Sequence, residues 1–181
     1  MKKVFNTLLI IVVVVMFANV SAYSQGTKSK TYKNAITTDP IDLLISERIG
    51  VKYEQVIGKK NSFIVSLMYD YSYNTDKYNN LGITIGGEYR WYFHNLFPEI
   101  RTKGITGLSV GPIANLTLVR NHANENTIDN NFVFDVGAGV AYKFVLFEGL
   151  AIEPAIRFGI RVGSNNTDFK PWPGVTIGYA W

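Results

Sequence analysis

The sequence predicts an all-β chain that closes into an eight-stranded antiparallel up-and-down transmembrane β-barrel. Three observations carry that expectation. From Asn34 onward the apolar residues recur with a period of two rather than about 3.6, the signature of strands. Tight turns alternate with long polar connections rich in Asn, Asp and Thr, the asymmetry of outer-membrane barrels. The polar faces of the strands carry small residues and a sign-balanced set of charges, which suits a narrow lumen better than a surface in water.

Taken in chain order, residues 1–22 read as a secretory signal peptide. Lys2 and Lys3 form a basic start, residues 8–17 are an unbroken apolar run, and Val20-Ser21-Ala22 offers small residues for cleavage. A cut after Ser24 is the alternative. The apolar run falls well short of the ~20 residues that a spanning helix needs. Residues 23–33 are polar and read as a flexible lead-in, and residues 34–181 form the barrel domain.

Eight strands are expected at residues 35–45, 47–57, 62–73, 81–93, 105–119, 131–146, 150–163 and 173–181. The first contains Pro40, which predicts a bulge or bend there. The fourth shows the alternation most clearly. Leu81, Ile83, Ile85, Tyr89, Trp91 and Phe93 share one face, opposite Gly82, Thr84, Gly86, Glu88 and Arg90. In the seventh, Ile152, Ile156, Phe158 and Ile160 oppose Glu153, Arg157 and Arg161. The expected connections are a tight turn near Ser46, then 58–61, 74–80, 94–103, 120–130, 148–149 and 164–172. An even strand count puts both termini at one end, with loops 74–80, 120–130 and 164–172 together at the other. Only residues 94–103 leave room for a helix longer than a turn or two.

Period alone does not separate inside from outside. A soluble barrel of the lipocalin type alternates too, with its apolar face inward. Residue size, charge balance and position decide for the membrane reading. Lys52, Arg90, Lys143, Arg157 and Arg161 stand against Glu54, Asp70, Glu88, Asp135 and Glu153 on the polar faces. Buried charges are costly unless paired, and equal numbers are what a closed lumen network needs. Aromatic residues gather at strand ends, as interfacial girdles would: Tyr69, Tyr71 and Tyr73; Tyr89, Trp91 and Phe93; Tyr142 and Phe144; Tyr179 and Trp181.

Three stretches carry a family resemblance: Asn34-Ala35-Ile36, then Ile49-Gly50-Val51-Lys52-Tyr53-Glu54, and the closing Gly174-Val175-Thr176-Ile177-Gly178-Tyr179-Ala180-Trp181. Together they resemble small outer-membrane β-barrel proteins of a domain-of-unknown-function family (outer membrane protein beta-barrel domain). The resemblance spans nearly all of the chain after the signal peptide. It implies an eight-stranded barrel in the bacterial outer membrane, surrounded by outer-membrane lipid and lipopolysaccharide, and supplies no catalytic residues. In such proteins the barrel-assembly machinery recognises a last strand with alternating apolar residues and a final aromatic. Val175, Ile177, Tyr179 and Trp181 fit that assembly signal.

Little in the sequence points to chemistry. The chain has no cysteine, which excludes disulfides, thiolate metal sites, a thiol nucleophile and a lipid-anchoring Cys. Its net charge of +4 includes Lys2 and Lys3, and no basic cluster suggests nucleic acid. His94 and His122 fall in expected loops at opposite ends, so they share neither a metal nor a catalytic site. No cofactor is implied. The expected role is a non-enzymatic barrel with a side-chain-filled lumen, structural or engaged in surface interaction through its far loops with an extracellular ligand that the sequence does not identify. A small-solute channel is the alternative, and a lipid A-modifying enzyme a more distant one.

Overall fold

The computed structural model describes residues 31–45, 48–72, 80–93, 104–124, 127–162 and 167–181. Its elements are β1 (Asn34–Thr38), α1 (Pro40–Ile45), β2 (Arg48–Val56), β3 (Asn61–Ser72), β4 (Asn80–Tyr92), β5 (Gly107–Asn124), β6 (Thr127–Leu146), β7 (Leu150–Val162) and β8 (Thr167–Ala180). Each strand runs antiparallel to the next, and β8 returns to β1 to close the barrel. The start of β1 and the end of β8 meet at one end, where the N–H groups of Lys33 and Asn34 donate to the Trp181 carbonyl at 2.9 and 3.0 Å. That end is called near, and the opposite end far.

Alternation decides which side chains face out. On β3, Phe63, Val65, Leu67 and Tyr69 are exposed while Ser62, Ile64 and Ser66 are buried. On β4, Ile83 and Ile85 are exposed opposite buried Thr84, Glu88 and Arg90. Leu67 and Ile85 retain 58% and 59% of their accessible surface, so the apolar faces look away from the lumen. A one-residue slip would invert every strand, so the pattern pins the register. Aromatic residues sit at two levels of this outer surface. Tyr53, Tyr89, Trp91, Phe93, Tyr179 and Trp181 are near, and Tyr69, Phe132, Phe134 and Phe169 are far. The Tyr89 and Trp91 ring centroids are 4.9 Å apart at the near level, and Phe169 of the far level stacks on Phe158 of β7 at 6.3 Å. Phe144 departs from the expectation of an outward aromatic. It is buried, with its ring 4.5 Å from that of Tyr142.

The first strand is the main correction. Residues 35–45 do not form one strand with a bend: β1 stops at Thr38, and α1 occupies residues 40–45. The local cause is Asp39-Pro40. The Asp39 carboxylate accepts the N–H groups of Ile41 and Asp42 at 3.1 and 3.2 Å, capping α1, and Pro40 fits the first helical position because its missing N–H is not needed there. The far hairpin also differs. β5 and β6 run on to Asn124 and Thr127, so most of the expected loop 120–130 is paired strand and His122 lies within β5. Strand β8 begins at Thr167 rather than 173. The lead-in is tied down at its end, with Tyr32 buried and bridged to Gly104. The signal peptide, the turn at Ser46, the loop 94–103 with His94, and most of the loop 74–80 lie outside the described residues.

The short β1 leaves a seam in the wall. Its pairing with β8 ends at Thr38↔Ile177, and its pairing with β2 ends at Thr37↔Lys52. Beyond those points α1 lies against β2 and β8. The β8 edge that faces the seam is blunted by sequence. Ala180 donates to Gly149 on the β7 side and Trp181 donates to Asn34 on the β1 side, so the odd-numbered residues of β8 point their N–H at β1. Pro171 and Pro173 are odd-numbered, and both remain paired in register with β7. The donors that proline removes are therefore those that would have faced the missing half of β1, where an open edge in lipid would be costly. On the other lip of the seam, the Thr38 hydroxyl donates to the Gly50 carbonyl at 2.7 Å.

Candidate functional site

The near half of the lumen is closed by two layers. At the bottom, Tyr32, Ala35, Tyr92, Ile105, Ala151 and Ala180 form a buried apolar cluster. Above it lies an ionic cluster reaching in from β2, β4, β6 and β7. Arg90 is fully buried at its centre. Its Nη1 and Nη2 meet the two oxygens of Glu153 at 2.6 and 2.9 Å, its Nε meets Glu88 at 2.6 Å, and Nη1 lies 3.9 Å from Glu54. Lys143 pairs with Glu54, and with Glu153 at 3.1 Å. Glu54 also accepts the hydroxyls of Tyr92, at 2.6 Å, and Ser62. Three cations (Arg90, Lys143, Arg157) therefore meet three carboxylates (Glu54, Glu88, Glu153), with the bonding densest on Arg90 and Lys143. That geometry compensates buried charge, and it fills the bore with bulky side chains.

The far half is different. There the lumen holds a cavity of about 80 Å³ lined by Lys52, Arg157, Asp39, Asn115, Trp172 and Gly174, among others. Two pairs at its wall are well made. Arg161 grips Asp135 in bidentate fashion at 2.7 and 3.0 Å, and Arg48 grips Asp70 likewise. Two cations are not so well served. Lys52 reaches Asp39 only at 4.0 Å, beyond hydrogen-bond range. Arg157 makes one long bond, Nε to Glu88 at 3.4 Å; its Nη2 stays 3.7 Å from Glu153 and is buried without a hydrogen-bond partner.

All ten charges singled out in the sequence project into the lumen, but they form separate groups. Glu54, Glu88, Arg90, Lys143, Glu153 and Arg157 make one connected cluster; Asp135–Arg161, Asp70 and Lys52 stand apart from it. Two partners were missed. Arg48 holds Asp70, and Asp39 faces Lys52. Arg48 shares the even-numbered face of Lys52 and Glu54, and starting the apolar pattern at Ile49 hides it. Asp39 shares the odd-numbered face of Ala35 and Thr37, and Asp39-Pro40 is itself a helix-start signal. Val175, Ile177, Tyr179 and Trp181 lie along the outer face of β8 and its end, and Trp181 packs on Tyr179 and Tyr53 with ring centroids 6.2 and 6.4 Å away. Among the described residues no group of three His, Asp or Glu side chains is placed to hold a metal ion.

No protein-family model matches the chain, so the resemblance to the domain-of-unknown-function family stands without one. No curated protein matches it either. Among solved structures, the chain is similar to the N-terminal β-barrel domain of OprF from Pseudomonas aeruginosa. That similarity has 11% identity and a TM-score of 0.49, and it covers 86% of this chain and all of that one.

Proposed function

We propose that this chain is a non-enzymatic barrel of the bacterial outer membrane that is closed to through-passage and acts structurally or by surface interaction at its far end. The observation that carries the reading is the two-layer closure of the near lumen, with Arg90 bound by Glu88 and Glu153 at 2.6 Å over an apolar floor. A bore filled in this way passes solute only if a connected set of ion pairs opens together. The outward apolar faces and two levels of aromatic residues support a bilayer as the surroundings. On this reading the partners are outer-membrane lipid and lipopolysaccharide, and the assembly machinery reads Val175, Ile177, Tyr179 and Trp181.

Conductance in planar bilayers tests the closure. The purified barrel is expected to give no stable openings. Ion-selective openings that vanish in Arg157→Ala would overturn the closed reading in favour of a small-solute channel. Fractionation with heat-modifiable gel migration tests the location: a soluble protein whose migration does not change on heating would overturn the membrane assignment. Lipid A mass spectrometry with and without the protein addresses enzymatic modification, and no mass change is expected.

A further inference from the structure

The far cavity is lined by four carboxylates, Asp39, Asp42, Glu88 and Asp135, and by Arg48, Lys52, Arg157 and Arg161. Asp135 is held by Arg161, Glu88 by Arg90, and Asp39 by two backbone N–H groups. On the cationic side, Arg157 Nη2 is buried without a hydrogen-bond partner, and the Lys52 ammonium reaches Asp39 only at 4.0 Å. Buried donors without acceptors are rare in folded proteins and point to something that supplies the acceptor. Water could bridge one such donor. Two cations on one cavity wall, with a planar fork on one of them, favour an occupant that is itself charged.

Position narrows the choice further. Lys52 stands at the last pair of β2 with β1, and Arg157 is paired across β8 with Trp172, just behind Pro171 and Pro173. The two cations therefore flank the seam where α1 replaces strand, one on each side. Asp39 and Gly174 lie between them: a methyl group at Gly174 would fall 2.6 Å from an Asp39 oxygen and 3.7 Å from Arg157 Nη1. Glycine there makes room for the Asp39 carboxylate beside Arg157. The cavity, about 80 Å³, exceeds the roughly 10–15 Å³ that one water needs and admits a group of several heavy atoms.

We propose that the far half of the lumen is a binding site for a small oxyanion, phosphate in type, held between Lys52 Nζ and the Arg157 guanidinium. The group can arrive as a free solute through the far mouth or as a phosphomonoester lipid headgroup through the seam beside α1. The site goes beyond the closed-barrel reading and does not depend on it, since the cavity lies on the far side of the Arg90 cluster.

Trp172 lines the cavity and reports on it. The test uses the full barrel with Trp91→Phe and Trp181→Phe, leaving Trp172 as the only tryptophan. Inorganic phosphate is titrated against the protein in neutral detergent. In a second arm, phosphatidylcholine vesicles with and without phosphatidic acid receive the protein. A saturable change in Trp172 emission with phosphate supports a solute site, and a change only with phosphatidic acid supports a headgroup site. Lys52→Met and Arg157→Gln are each expected to weaken the midpoint tenfold or more. Line broadening of the phosphate 31P resonance by the protein with its native lumen gives a readout that no variant's folding can compromise. No saturable response in either arm, or an unchanged midpoint in both folded variants, would overturn the site. Conductance of the same preparation separates the two readings, because open pores would sink the closed barrel and leave phosphate binding standing.

Discussion

Removing Arg90 tests the lumen assignment most directly. Arg90→Met keeps much of the volume and deletes the charge. It leaves Glu54, Glu88 and Glu153 facing only Lys143 and Arg157, and Arg157 approaches no closer than 3.4 Å to Glu88 and 3.7 Å to Glu153. Breaking a buried pair in this way costs about 3–5 kcal/mol, because a carboxylate is left uncompensated. With a slope of roughly 1–3 kcal/mol per molar urea, the unfolding midpoint should fall by about one to several molar. The assay is equilibrium urea unfolding from lipid vesicles, followed by tryptophan fluorescence. A companion variant sharpens it. Arg90→Met combined with Glu153→Met leaves two cations and two carboxylates, with Lys143 still on Glu54 and Arg157 still on Glu88. The double variant should be more stable than Arg90→Met alone, with a coupling of about 0.5–3 kcal/mol. A loss under about 1 kcal/mol for Arg90→Met, or strictly additive effects, would refute the network as described.

Three further predictions follow from the wall and its turns. Ile85→Arg places a charge on the middle of the outer face and should cost about 2–4 kcal/mol of folding into vesicles, whereas Ile57→Arg at the near turn should cost less than about 1; equal effects in a gel-shift folding assay would speak against an outward lipid face. Gly86→Ala drives a methyl group into the Ser66 and Asn115 side chains of the two neighbouring strands and should lose about 1–3 kcal/mol, while Gly58→Ala, whose new methyl meets nothing closer than 3.7 Å, should stay within about 0.5; urea midpoints compare the two. Glu148 sits at φ 63° in the turn between β6 and β7, so Glu148→Gly should raise stability by up to about 1 kcal/mol in the same assay, and a loss would mean that the Glu148 side chain matters more than its backbone.

The barrel was legible because each strand buries one face, and a period of two is then written along the chain. Leu81 to Phe93 shows it without any tertiary information. The balanced lumen charges were legible for the same reason, since Glu88 and Arg90, or Glu153 and Arg157, are even or odd together. Pairing was not legible. Arg90 lies on β4 and its best partner Glu153 on β7, so they meet only by crossing the closed bore, and no spacing in the sequence records a distance across a lumen. Strand ends were hard to read where polar residues continue a strand past the apolar band, as at Asn121 to Asn124 and Thr127 to Asn131, because Ala123 and Ile128 alone are too few apolar residues to display a period of two.

The seam shows how a local signal outweighs the repeating one. The odd-numbered inward face of Ala35 and Thr37 continues to Asp39, and the alternation alone would carry β1 onward. Asp39 instead turns its carboxylate onto the N–H groups of the next turn, and Pro40 gives up no hydrogen bond by starting a helix. Once β1 has left, the β8 edge needs fewer donors, and Pro171 and Pro173 are the residues whose missing N–H groups face that side. Pro40 and the pair Pro171 and Pro173, more than a hundred residues away in the chain, thus mark one seam in the wall. The same seam has Lys52 and Arg157 on either side of it, and there Lys52 reaches Asp39 only at 4.0 Å while Arg157 holds Glu88 through one long bond and leaves Nη2 unpartnered. The loose bonding of these two cations thus sits where the first strand stops.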